Sequence, residues 1–126
     1  MALKCFKDTI MNFEVKKESD ITIFKLNEQR LDTNISGLLK GEFTMLLKVE
    51  GAKKFILDLS AVESCDSSGL SAILVANRIL NSTNGQMRIA SPSEKVYSLI
   101  KVTQLDRVLP VFDTVDEAFQ DLKKVG

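Results

Sequence analysis

The sequence contains no histidine and no tryptophan, and its 126 residues include only two cysteines and two prolines. Because histidine is the usual general base and a common zinc ligand near neutral pH, its absence argues against many enzyme classes and against histidine-based zinc sites. Cys5 and Cys65 are too far apart in sequence to form a Cys-x-x-Cys pair. We therefore expect two free thiols, no metal and no other cofactor.

An excess of charge of either sign is also missing, since 17 basic residues balance 17 acidic ones. A balanced chain has no overall field to hold a polyphosphate backbone or an anionic bilayer. No apolar run approaches the roughly 20 residues of a membrane span, and residues 1–10 lack the pattern of a secretory signal. We expect a cytoplasmic domain, monomeric or weakly dimeric, that neither binds nucleic acid nor inserts into a membrane.

Short β-rich runs alternate with apolar residues at helical spacing. The predicted strands are residues 13–15, 21–24, 55–59, 87–90 and 108–112, with a hairpin loop at 16–20. The predicted helices cover residues 35–47, 70–80, 94–100 and 115–122. The order β-β-α-β-α-β-α-β-α predicts an α/β domain with a mixed sheet, in which an antiparallel hairpin precedes parallel strands with right-handed crossovers. We place this domain at residues 12–126 and treat residues 1–11 as an N-terminal extension.

The loop after the predicted central strand ends in Asp66-Ser67-Ser68, directly before a largely apolar helix. A serine in the first helical turn can cap free backbone N–H groups, and these groups also favour an added phosphate. Gly69, which has no Cβ, would let a partner backbone approach, and Leu70 begins the apolar side of the helix. From local chemistry alone, an ordinary capped helix start is the commoner explanation of this motif.

The strand 55–59 followed by Cys65-Asp66-Ser67-Ser68-Gly69-Leu70 resembles the signature of STAS domains, specifically of bacterial anti-sigma factor antagonists. The predicted element order extends the resemblance over about residues 12–124. It implies partner switching, in which the unphosphorylated antagonist binds an anti-sigma factor that is also a serine kinase and so frees a sigma factor. It also implies that Ser67 is the phosphoacceptor and that a serine phosphatase restores binding.

The same resemblance assigns a second acidic position to Asp32, which would lie beside Ser67 at the surface that faces the kinase. Gln29 and Arg30 stand where the family commonly has a glycine, so the local loop departs from the family pattern. The partner-binding residues that the resemblance implies are Asp32, Asp66, Ser67, Ser68, Gly69 and Leu70.

Other function classes fit the sequence less well. An enzyme with Ser67 as nucleophile would have no histidine to activate it and no Gly-x-Ser-x-Gly elbow, so we expect no catalysis. Neither glycine pattern of nucleotide-binding loops occurs among the six glycines. A non-switching STAS scaffold, or a subunit of a stress-signalling or lipid-transport complex, stays open as the alternative.

Overall fold

The computed structural model describes the backbone of residues 2–6 and 9–124 and the side chains of residues 11–124. The strands are β1 Ala2–Phe6, β2 Thr9–Glu18, β3 Ile21–Leu26, β4 Arg30–Leu31, β5 Lys54–Asp58, β6 Ser64–Cys65, β7 Gln86–Ala90 and β8 Val111–Phe112. The helices are α1 Thr33–Thr44, α2 Ser67–Ser82, α3 Glu94–Val102 and α4 Val115–Lys123. A π-helical turn, Met45–Val49, extends α1, and a 3-10 turn, Leu105–Arg107, follows α3.

Six of these strands form one mixed sheet in the order β1-β2-β3-β5-β7-β8, while β4 and β6 form a separate two-stranded sheet. The pairs β1–β2 and β2–β3 are antiparallel, and the remaining pairs of the large sheet are parallel. The predicted mixed α/β sheet with four helices and an antiparallel opening hairpin is therefore confirmed. No helix in the described part of the chain is long and apolar enough to cross a membrane.

Three local predictions differ from the structure. The predicted hairpin loop 16–20 is wrong, because residues 16–18 continue β2 and only Ser19 and Asp20 form the turn. An antiparallel strand can expose one face to water, so the charged residues 16–18 do not interrupt it. The predicted strand 108–112 shortens to β8, since Pro110 has no N–H for the ladder and contributes only its carbonyl, which accepts from Ile89 N at 3.0 Å.

The third difference is β1, which lies within the predicted extension 1–11 and pairs with β2 from Ala2 opposite Phe13 to Phe6 opposite Thr9. Its five residues, ALKCF, place Ala beside Leu and Cys beside Phe, so they give no clear alternation. The expected free thiol of Cys5 lies outside the described side chains, whereas Cys65 is a free cysteine.

Two apolar layers cover the large sheet. Helices α1, α2 and α3 share the main core with one face, whose centre holds the contacting rings of Phe13, Phe24, Phe43 and Phe55. Helix α4 covers part of the other face, packing Ala118 and Leu122 against isoleucines of β3 and β5. Close packing on both faces makes the sheet a rigid base for the loops at the carboxyl ends of its parallel strands.

Candidate functional site

The small sheet brings the starts of α1 and α2 together. Arg30 pairs with Ser64 and Leu31 with Cys65 in parallel, and an aspartate follows each strand immediately: Asp32 after β4 and Asp66 after β6. The backbone N–H of Asp66 donates to the Leu31 carbonyl at 3.2 Å. Two aspartates and two helix N-termini therefore lie at one edge of the domain.

Each aspartate caps its own helix. Asp32 Oδ1 accepts from Asn34 N at 3.0 Å, and Asp66 Oδ1 accepts from Gly69 N at 3.0 Å. The prediction that a serine caps the second helix is therefore wrong. Asp66 holds extended backbone geometry one residue before the helix, and an aspartate there is as good a cap as serine. Both serines are freed from capping and lie inside the first turn of α2.

Ser67 and Ser68 have different surroundings. Ser68 Oγ donates to Asp66 Oδ1 at 2.6 Å and lies 3.3 Å from Thr33 Oγ1, so its hydroxyl links the starts of the two helices. Ser67 is exposed, and its hydroxyl makes no hydrogen bond to any residue that the structure describes. Of the two neighbouring serines, Ser67 is therefore the exposed one with an unbonded hydroxyl, and Ser68 is the partly buried one with a bonded hydroxyl.

Gly69 and Leu70 are buried, which contradicts the idea that Gly69 gives a partner backbone access. A Cβ at Gly69 would lie 2.5 Å from the Leu31 carbonyl oxygen and 2.7 Å from Cys65 Sγ. The absence of a side chain at Gly69 therefore lets α2 start directly against β4 and β6. Within the predicted motif from Asp66 to Leu70, only Asp66, Ser67 and Ser68 are accessible to solvent, and Ser68 only in part.

Asp32 is partly buried at the cap of α1 and lines a small cavity together with Asp66, and its role beside Ser67 at the surface that faces the kinase stays a prediction. Among the described contacts, no hydrogen bond joins Asp32 to Ser67. The loop that departs from the family pattern is held by the Gln29 carbonyl, which accepts from Glu63 N at 2.8 Å and from Ser64 N at 3.1 Å. These bonds hold β4 beside β6, directly before Asp32.

At neutral pH, this edge of the domain carries negative charge from Asp66, while the neighbouring Cys65 is neutral. The hydrogen bond from Ser68, followed by that from the Gly69 N–H, holds the pKa of Asp66 below its ordinary value of 3.8, so this exposed carboxylate is ionised at neutral pH. Burial, with a smaller contribution from Asp66, raises the pKa of the Cys65 thiol from 9.0 to about 11. The thiol next to the motif is therefore protonated and weakly reactive at neutral pH.

Sequence reasoning missed an apolar groove beside Ser67. A cavity of about 340 Å³ lies between α2 and the turn after α3, with Ser67, Leu70 and Leu74 on one wall and Leu105 and Val108 on the other. We call it the α2 groove. Leu74 and the segment 103–108 carried no functional signal, because helical periodicity alone cannot separate core positions from a docking face.

Comparison with known proteins identifies the fold. A family model described as STAS domain matches residues 12–118. The chain belongs to the STAS domain family. A Thermotoga maritima protein named "Putative anti-sigma factor antagonist" is 32% identical over 112 residues, which cover 89% of this chain and 98% of that protein. The predicted family is confirmed, and the similarity extends to its anti-sigma factor antagonists.

Solved STAS structures superimpose closely on this one. A crystal structure of the Thermotoga maritima antagonist has a TM-score of 0.81 and 31% identity, covering 88% of this chain and 94% of that chain. The Bacillus cell fate determinant SpoIIAA in its phosphorylated form has a TM-score of 0.69 at 17% identity, covering 88% of this chain and 99% of that chain. At that identity, SpoIIAA demonstrates only the shared STAS fold.

Proposed function

We propose that this STAS protein is a cytoplasmic anti-sigma factor antagonist that acts by partner switching. Its unphosphorylated form binds an anti-sigma factor that is also a serine kinase, and a sigma factor is thereby released. Phosphorylation of Ser67 ends the binding, and a serine phosphatase restores it. The protein itself acts as a binding domain and catalyses no reaction.

The contrast between Ser67 and Ser68 is the observation that carries the proposal. A kinase needs an exposed hydroxyl that is free to enter its active site. Ser67 offers one at the first position of α2, whereas Ser68 is partly buried and donates to Asp66 at 2.6 Å. The assignment of Ser67 as phosphoacceptor, first made from its place in the motif, is thus supported by the local geometry.

The electrostatics of the edge support the loss of binding on phosphorylation. A phosphate on Ser67 would add about −1.5 to −2 charges next to the ionised Asp66 and on the same edge as Asp32. Helix α2 is anchored through buried Leu70, Ala72 and Ile73, so the change need not alter the fold. A partner packed on this edge would have to bury the new charge, which is costly without a matching cation.

Phosphorylation by the partner can be tested directly. We would incubate the protein with ATP and each anti-sigma kinase of the source organism, and locate phosphate by mass spectrometry. Wild type and Ser68→Ala should be phosphorylated on Ser67, while Ser67→Ala should remain unmodified. Phosphate on Ser68, or on neither serine with any of these kinases, would contradict the proposal. A partner without kinase activity that binds Ser67→Ala and Ser67→Asp equally would favour the scaffold or lipid-transport alternative.

A further inference from the structure

The α2 groove concentrates apolar surface next to the proposed phosphoacceptor. Two of the six large hydrophobic residues that are exposed in the described part of the chain line it, Leu74 at 39% and Val108 at 60%, and a third, Val102 at 79%, directly precedes its lining residue Thr103 in sequence. Exposed apolar side chains that are grouped in this way commonly mark an interaction site. The groove is continuous with the proposed phosphorylation site, because Ser67 itself forms part of its wall.

A charged residue extends this surface along α2. Ser67, Ser71, Leu74 and Arg78 follow one another at intervals of four, three and four residues, which places them on one stripe of the helix. Arg78 is exposed and forms no ion pair with any described residue. It lies eleven residues from Ser67, about 16 Å along the helix axis. The stripe therefore offers a hydroxyl, an apolar centre and an unpaired cation in that order.

We propose that the α2 groove receives the apolar face of an amphipathic helix from the anti-sigma kinase, with an acidic residue of that helix paired to Arg78. This inference rests on the proposed function and names the surface that the kinase uses. An amphipathic helix laid in an apolar groove contacts it through apolar side chains at helical spacing and leaves its charged side chains free to meet Arg78, which lies exposed one turn beyond Leu74 on α2. The unpaired Arg78 selects a partner helix that carries a carboxylate at the end of the contact remote from Ser67, so the Ser67 hydroxyl stays open to the active site of the kinase.

The position of Ser67 on the groove wall explains how one phosphate could release the partner. Docking would remove water from the groove, and a phosphate on Ser67 would then lie against a wall whose lining side chains include no cation. Burying an unpaired charge is far costlier than burying a hydroxyl. A small-molecule ligand fits less well, because the cavity of about 340 Å³ is near the lower end for ligand pockets and no charged side chain is among its lining residues.

The test uses the anti-sigma kinase that phosphorylates Ser67, purified, with binding followed by calorimetry without ATP. Val108→Ser, Leu74→Ser and Arg78→Glu should each weaken binding about tenfold or more, as expected for central contacts of an interface. The controls are Val49→Ser and Lys48→Glu, two exposed residues of the π-helical turn that follows the far end of α1. These controls make the same changes in hydrophobicity and charge as Val108→Ser and Arg78→Glu, but away from the groove. They should alter the affinity for the kinase by less than about twofold. Circular dichroism confirms that each variant is folded.

The outcomes separate this inference from the function on which it rests. If Ser67→Asp loses the kinase but the three groove variants bind as wild type does, the groove is not the docking surface and partner switching still stands. If no kinase binds or phosphorylates the wild type, both proposals fall. If sedimentation shows that Val108→Ser dissociates a dimer while kinase affinity is unchanged, a second copy of the chain occupies the groove and the inference is overturned.

Discussion

Asp66 Oδ1 accepts a hydrogen bond from Ser68 Oγ at 2.6 Å, while the same oxygen caps α2 at the N–H of Gly69. This bond occupies the hydroxyl of Ser68 and leaves that of its neighbour Ser67 in solvent. Two serines with the same chemistry are thereby given different roles by the start of one helix. Ser68 holds the cap, and Ser67 is available to a kinase.

Removing the Ser68 hydroxyl should change the acidity of Asp66. In Ser68→Ala, we expect the pKa of Asp66 to rise toward 3.8, because the hydrogen bond from Ser68 is the largest cause of its depression. The measurement is an NMR titration of the Asp66 carboxyl group, with Ser71→Ala as a control that leaves this bond intact. An unchanged Asp66 pKa in Ser68→Ala would show that the bond is not made in solution.

The free energy of unfolding at acid pH should also depend on Asp66. Its folded pKa is lower than the unfolded value, so its carboxylate contributes stability above the unfolded pKa and loses that contribution as the pH falls through the folded pKa. Asparagine caps a helix about as well but does not titrate. The stability difference between wild type and Asp66→Asn, from urea unfolding, should shrink below roughly pH 4. A difference independent of pH would refute this role.

Gly69 should tolerate no side chain. In Gly69→Ala the new Cβ would meet the Leu31 carbonyl at 2.5 Å, and we expect a loss of about 1–3 kcal/mol in the free energy of unfolding. Gly41→Ala is the matched control, because that helical position has nothing within 4 Å of the added Cβ and should gain about 0.5–1 kcal/mol. Equal effects of the two substitutions in urea unfolding would contradict the close approach of α2 to β4.

Cys65 should react slowly with alkylating reagents. Its pKa of about 11, against 9.0 for a free thiol, implies a thiolate fraction roughly a hundredfold lower at neutral pH. We would measure iodoacetamide modification in a Cys5→Ser protein, so that only Cys65 reports, and use the urea-unfolded protein as the control. The folded protein should react far more slowly, and its rate should rise with pH toward 11. Equal rates in the two states would rule out the burial of this thiol.

The strand and helix order was predictable because its hydrophobic periods are regular. The apolar run 55–59 forms β5 in the structure. The residues with helical spacing after it form α2, which is half buried. The charges of residues 16–18 favour a loop in the sequence, although an antiparallel strand can expose such side chains. Strand β1 was missed because its five residues carry no clear period.

The position of the motif was predictable from the sequence, but the separate roles of its three residues were not. Local sequence cannot tell which of Asp66, Ser67 and Ser68 caps α2, since all three are good capping residues. The choice follows from backbone geometry at Asp66 and from contact with Thr33, which lies 35 residues from Ser68 in sequence. The α2 groove depends likewise on the packing of the segment 103–108 against α2, which no local pattern encodes.

The central claim is that one phosphate on Ser67 controls binding. The most direct measurement is the affinity of the anti-sigma kinase for two preparations of the wild-type protein, one unmodified and one phosphorylated at Ser67 and freed of ATP. We expect phosphorylation to weaken binding by about a hundredfold or more, and phosphatase treatment to restore the original affinity. Equal affinity of the two preparations would contradict partner switching through Ser67.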